Sequence, residues 1–198
     1  MNYRRIGRWA AGIGAVAVAG AGLYWLKERA TEKPDFITVE EDGLFSVRRY
    51  PPILVARTVQ PGGRDRALGQ GFGVLAGYIF AEHREGDEIP MTAPVLAERR
   101  VGQGWTVSFV MPKIYTRDTL PTADPGVEIA MIPARRVAVV GFAGKVDDAI
   151  LAAKADELAA WIARRGLQPD GEVVHAFFNA PFIPAPARHN EIWQPLAD

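Results

Sequence analysis

The apolar pattern of this 198-residue chain starts over after 83 or 84 positions, and that offset constrains the fold more than any single motif. Gly43-Leu44 is answered by Gly126-Val127, and the β-like run 53–59 by 137–142. A helical stripe of Leu68, Phe72, Leu75 and Ile79, spaced i, i+4, i+7, i+11, is answered by Leu151, Ala155, Leu158 and Ile162. Met111-Pro112 has its counterpart in Gln194-Pro195. Identities are few, but a constant offset through strand, helix and strand signals is the trace of a duplicated unit. Runs 44–50 and 53–59 read as strands separated by Pro51-Pro52, which no central strand accommodates. Runs 89–96 and 105–111 are strand-like again after the helical period of 65–83. Two strands, a helix and two more strands, used twice, predict an α+β domain: a pseudo-twofold, barrel-like antiparallel sheet flanked by two helices.

The two helices differ in composition. Asp147 or Asp148 suits the start of the second, and Arg164, Arg165 and Gly166 suit its end. The first carries Gly69, Gly71, Gly73 and Gly77, each costing about 1 kcal/mol against alanine inside a helix. Gly69, Gly73 and Gly77 share one strip away from the Leu68/Phe72/Leu75/Ile79 face. Such a strip serves either close approach of neighbouring backbone or a shallow groove for something flat.

The N-terminus carries its own signal. Arg4, Arg5 and Arg8 precede an uncharged, apolar run over residues 9–26, with Trp9 at one end and Tyr24-Trp25 at the other. Its 18 residues sit near the lower limit of roughly 17–25 for a spanning helix, with aromatics where two interfaces would lie. Residues 1–26 are therefore expected to form a membrane anchor, single-pass in the inner membrane with the domain in the periplasm. The alternative is a signal peptide cut near Ala19 or Ala21, releasing the domain to the periplasm. Residues 27–36 read as a polar linker and 37–198 as the folded domain.

Composition narrows the chemistry. Basic and acidic residues balance at 23 each and the basic ones are scattered, so no nucleic-acid partner is expected. The chain has no cysteine, which removes disulfides, thiolate nucleophiles and cysteine-ligated metal sites. Ser46 and Ser108 are the only serines, without a nearby histidine in sequence, and no nucleophile elbow, zincin or phosphate-loop motif occurs. No enzyme is expected and no catalytic residue is assigned. His83, His175 and His189 remain, each read as either a hydrogen-bonded structural histidine or an axial ligand. A haem iron needs only one or two protein ligands, and its macrocycle needs apolar contacts, so haem is compatible with this inventory.

The stretches VRRYPPILVA (47–56), GFGVLAGYI (71–79), IPMTAPV (89–95), WTVSFVMPKIY (105–115) and FNAPFIPAPARHNEIW (178–193) resemble, in order, the signatures of the SOUL haem-binding protein family. The resemblance covers nearly everything after Pro34. It implies a two-repeat barrel similar to the effector-binding domains of bacterial multidrug regulators. It also implies haem or another porphyrin in an apolar pocket beside the first helix and the late proline loop. The ligand-binding residues expected on this basis are Gly69, Gly73, Leu75, Ala76 and Gly77 of the helix, with Phe177, Phe178 and Phe182 of the loop. Arg188, Asn190 and Glu191 are expected to pin the loop base. Where some animal members carry a histidine discussed as an iron ligand, this chain has Arg49, expected at most to pair with a propionate. The function expected is that of a membrane-tethered haem or tetrapyrrole carrier, buffer or sensor. The alternative is a non-catalytic module of the same fold for another amphipathic molecule or a protein.

Overall fold

Nine strands and two α-helices follow one another in the computed structural model, which describes residues 31–180 and 183–197. The strands are β1 (Ile37–Asp42), β2 (Phe45–Tyr50), β3 (Ile53–Gln60), β4 (Val95–Arg100), β5 (Gly104–Val110), β6 (Glu128–Ile132), β7 (Arg135–Ala143), β8 (Val174–Phe177) and β9 (His189–Leu196). Helix α1 (Arg64–Ile79) follows β3 and α2 (Asp148–Arg164) follows β7. A single 3-10 turn at Ala185–Ala187 stiffens the proline loop before β9. Glu32–Asp198 form one compact unit.

All strand pairs are antiparallel, in the order β1-β2-β7-β9-β8-β4-β5-β3-β6. Exchanging β2 with β6, β3 with β7, β4 with β8 and β5 with β9 reverses that order from β2 onward, which is the expected twofold repeat. The dyad passes between β4 and β8. Each repeat also gives its first strand to the other: β2 pairs with β7, and β6 with β3. The sheet curls without closing, because β1 and β6 stand at its two ends unpaired with each other. It is a half-barrel rather than a barrel.

Alternation decides what each face carries. Phe45, Val47, Ala138, Val140 and Ile192 turn to one face and pack under Leu151, Leu158, Trp161 and Ile162 of α2. Ala56, Val107 and Phe109 turn to the same side in the other half and meet Leu75, Tyr78 and Ile79 of α1. The opposite, concave face is lined by Tyr50, Val55, Leu96, Val110, Val139, Val174 and Trp193, all buried. At about 1.5–3 kcal/mol per buried large aliphatic or aromatic side chain, these three clusters dominate folding. Helix α1 needs Gly71, since a Cβ there would lie 2.7 Å from Val107 Cγ2. Helix α2 is capped as expected, with the Asp147 side chain accepting from Ile150 N at 2.9 Å and Gly166 at φ +64 past its end.

Two expectations change. Residues 89–94 are not in a strand; β4 begins at Val95, and Ile89 instead donates its N–H to Ile79 O at 2.7 Å and buries its side chain. Strand β1 has no counterpart in the apolar pattern, because its side chains are mostly exposed and its register shifts between Thr38 and Glu40. That bulge turns Glu40 and Asp42 toward α2, where both ion-pair with Arg165 and Asp42 accepts from Trp161 Nε1 at 2.9 Å. The apolar run 9–26 lies outside the described residues. Among the described residues, no helix is long and apolar enough to cross a membrane.

Candidate ligand-binding site

The two repeats agree in their aliphatic core and disagree at one place on the concave face. The strand registers make Arg48 equivalent to Ile132, Glu191 to Ser108, His189 to Thr106 and Trp193 to Val110. One half of the sheet is therefore plain, and the other carries a polar and aromatic cluster at matching positions.

Glu191 is the centre of that cluster, only 3% exposed. Its carboxylate accepts from Arg48 Nη1 at 3.1 Å, pairs with His189 Nε2 at 2.9 Å and accepts from Trp193 Nε1 at 2.5 Å. Burial opposes the charge. Hydrogen bonding from His189, the Arg48 cation and Trp193 together hold the carboxyl below its usual range. Arg48 is likewise penalised by burial and held cationic by Glu191, and it also donates to Ser46 Oγ at 3.1 Å and Tyr50 Oη at 3.3 Å. Burial pushes the Tyr50 phenol up to about 12, so it stays neutral. In the tautomer that donates from Nε2 to Glu191, Nδ1 is left as an acceptor or metal-ligating atom.

Two cavities meet at this network, sharing Arg48, His189 and Glu191. The first, about 320 Å³, opens toward Glu41 and Ser46. The second, about 230 Å³, is walled by Phe36, Tyr50, Phe178 and Trp193, with Lys33 and Pro34 at its edge. Its aromatics form a row, with ring centroids 5.3 Å apart for Phe36 and Tyr50 and 4.9 Å for Tyr50 and Trp193. Phe178 faces the His189 ring at 4.7 Å. The Arg48 guanidinium lies 4.4 Å from the Phe36 ring centre, and Lys33 Nζ 5.6 Å from that of Phe178.

The sequence-predicted site residues are dispersed over both faces. Phe178 lines the second cavity, whereas Phe177 packs into the α2 cluster on the opposite face; Phe182 lies outside the described residues. Arg49 is exposed on the helix-bearing face, and its neighbour Arg48 is the arginine that reaches the cavity. Leu75 is buried under α1 and Ala76 is half-buried. Gly69 and Gly73 face open space, where a Cβ would meet no atom within 4 Å, and Gly77 is covered by Glu82 and His83. Neither cavity includes a residue of α1. Among the histidines, His83 is exposed and His175 is half-buried between Trp105 and Phe177, with Nδ1 enclosed and without a hydrogen-bond partner among the described residues. His189 lines both cavities. At the loop base, Arg188 Nε donates to Ile183 O at 2.7 Å and Asn190 Nδ2 to Gly144 O at 3.1 Å, as expected, while Glu191 faces the cavity. The repeat comparison is the signal that would have found Arg48 and Glu191.

A tetrapyrrole needs a flat apolar contact surface, cations for its acidic side chains and optionally an imidazole. Phe36, Tyr50, Phe178 and Trp193 supply the first, Lys33 and Arg48 the second and His189 the third. At about 230 Å³ the cavity is smaller than the roughly 300–1,000 Å³ of pockets that enclose a ligand.

The fold has solved counterparts. The C-terminal domain of EcmrR superposes with TM-score 0.60 at 14% identity, over 78% of this chain and 97% of that one. EcmrR in its complex with DNA gives 0.62 at 11%, over 98% and 70%. A hydrolase from Listeria innocua gives 0.51 at 14%, over 84% and 93%. At these identities the likeness is one of fold alone. No curated protein matches the chain. The family described as SOUL heme-binding protein matches residues 31–195, nearly the whole described unit, and the chain belongs to that family.

Proposed function

We propose that this protein binds haem or a related tetrapyrrole by its macrocycle at the concave-face cavity, as a carrier, buffer or sensor. One observation carries the reading: of two equivalent half-sheets, only one has an aromatic row, two cations and a carboxylate-oriented imidazole at a common opening. Membership of a haem-binding family supports the choice of ligand. In this reading Phe36 and Phe178 sandwich the ring edge, Lys33 and Arg48 meet peripheral carboxylates, and Glu191 holds His189 in one tautomer. His189 Nδ1 would be the protein atom to hold iron where the tetrapyrrole carries it, and the iron would supply a Lewis-acid or redox centre. We further propose that residues 1–26 tether the domain to the inner membrane on its periplasmic side. Membrane fractionation and protease access on spheroplasts test that part; soluble full-length protein, or protection from external protease, overturns it.

A second reading is favoured by the fold shared with the EcmrR C-terminal domain. The same cavity would then take another flat amphipathic molecule. Titration with haem and with metal-free porphyrin, followed by tryptophan quenching at Trp193, separates the two. Saturable binding of both, weakened by Phe178→Ala, supports the tetrapyrrole; binding of neither rejects it.

A further inference from the structure

The second cavity is closed on one side by a segment that belongs to no strand. Residues 32–36 run from the loop before β4 to the mouth of the cavity and contribute Lys33, Pro34 and Phe36 to its wall. They are fastened to the first repeat, beside Pro94 of the cavity lining. Glu32 O accepts from Ala93 N at 2.9 Å, Glu32 Oε1 accepts from Lys113 N at 2.6 Å, and Asp35 pairs with Lys113 Nζ at 2.6 Å. Phe36 then lands on Tyr50 and Arg48, and Lys33 reaches over Phe178 of the proline loop. The strap is thus clipped to one repeat and forms the ligand wall of the other.

We infer that this strap gates the cavity, and that ligand occupancy is coupled through it to whatever restrains the chain N-terminal to Glu32. The inference rests on the cavity being the ligand site. A planar ligand edge between Phe36 and Phe178 has one wall on the strap, so lifting the strap removes that wall and speeds release. Binding in turn holds the strap down. Coupling of this kind is reciprocal: pulling the strap away lowers affinity by the same factor by which the ligand resists the pull. The clips lie at the surface, with the Asp35 and Lys113 side chains 74% and 50% exposed, so they can be altered without disturbing the core or the cavity lining.

The full-length chain is used, with haem and metal-free porphyrin as probes. The double substitution Glu32→Ala with Asp35→Ala is expected to speed release of both probes by roughly threefold to tenfold, the effect of losing one exposed ion pair and one side-chain hydrogen bond. The chain has no cysteine, so Asp35→Cys with Lys113→Cys allows a single cross-link by a short bis-maleimide, which is expected to slow release. Hydrogen exchange at residues 33–37 should slow when either probe binds. Unchanged release in a normally melting double variant, or strap exchange indifferent to a bound probe, overturns the gate and leaves the binding site standing. Failure of the wild type to bind either probe overturns the binding reading itself.

Discussion

Arg64 and Asp148 are the first residues of the two helices, occupy equivalent positions in the two repeats, and pair with each other, Nη1 to Oδ1 at 2.8 Å. The contact is an ion pair rather than a directed hydrogen bond, since Nη1 has no hydrogen-bond partner among the described residues. The Arg64 side chain is 6% exposed and also pairs with Asp65 at 2.7 Å, while both aspartates are 87% exposed. The buried cation thus depends on two wet anions. Asp65→Asn and Asp148→Asn should each cost under about 1 kcal/mol, because the remaining carboxylate still neutralises Arg64. The double variant should lose about 2 kcal/mol more than their sum, leaving a buried charge alone. Urea melts of the four proteins measure this, and simple additivity would refute it.

The strand exchange between repeats forbids division of the domain. A fragment of residues 34–124 keeps β3, β4 and β5 but leaves β2 without β7 and β3 without β6. It should fail to melt cooperatively, whereas residues 34–198 should give one transition. Circular dichroism melts of both decide.

His175 sets an acid limb to stability. Burial, with the Arg64 charge, lowers its pKa from 6.5 to about 4. Between those values the unfolded chain takes up a proton that the folded one refuses, so stability is intact above pH 6.5 and falls as pH drops toward 4. At pH 5 the loss is on the order of 2 kcal/mol. Glu191, whose carboxyl is held below its usual range, adds its loss at lower pH. His175→Phe should flatten the change in urea midpoint between pH 7 and pH 5. An equal slope in the variant would assign the limb to other groups.

At the ligand site, Phe178→Ala should weaken haem and metal-free porphyrin together, by roughly tenfold. Metal-free porphyrin should bind within about tenfold of haem, a difference near 1.4 kcal/mol. His189→Ala should shift the haem absorption spectrum while largely sparing porphyrin affinity. Gly73→Leu, on open helix surface, should leave both affinities unchanged. A loss there instead places the macrocycle on α1, in the flat slot suggested by the glycine strip.

The repeat, both helices and most strands are legible in the sequence because apolar periodicity reports which residues are buried. It does not report partners. Nothing in the pattern of residues 45–50 distinguishes pairing with the strand beside them from pairing with β7, so the exchange of first strands is invisible there. Strand β1 is illegible for the opposite reason: an exposed edge with a bulge has no periodic burial to display. The site is legible only in composition. Phe178, expected near the ligand, does line a cavity, but Arg49 and Phe177 each lie one residue from an inward position, and one step along a strand reverses the face. Arg48 and Glu191 stand 143 residues apart, a contact that only the folded sheet creates.

The crossed pairing of β2 with β7 also has a consequence at the ribosome. Phe45 pairs with Val140, so roughly ninety further residues must be synthesised before that partner emerges. At typical elongation rates of about 5–20 residues per second, β2 spends roughly 5–20 s without its partner while β3, β4 and β5 can already meet. During that interval the half-made sheet presents the edge that β6 will later occupy, together with the apolar surface meant for the concave core. That stage, before β7 is available, is the one at which the chain is most open to pairing with another chain.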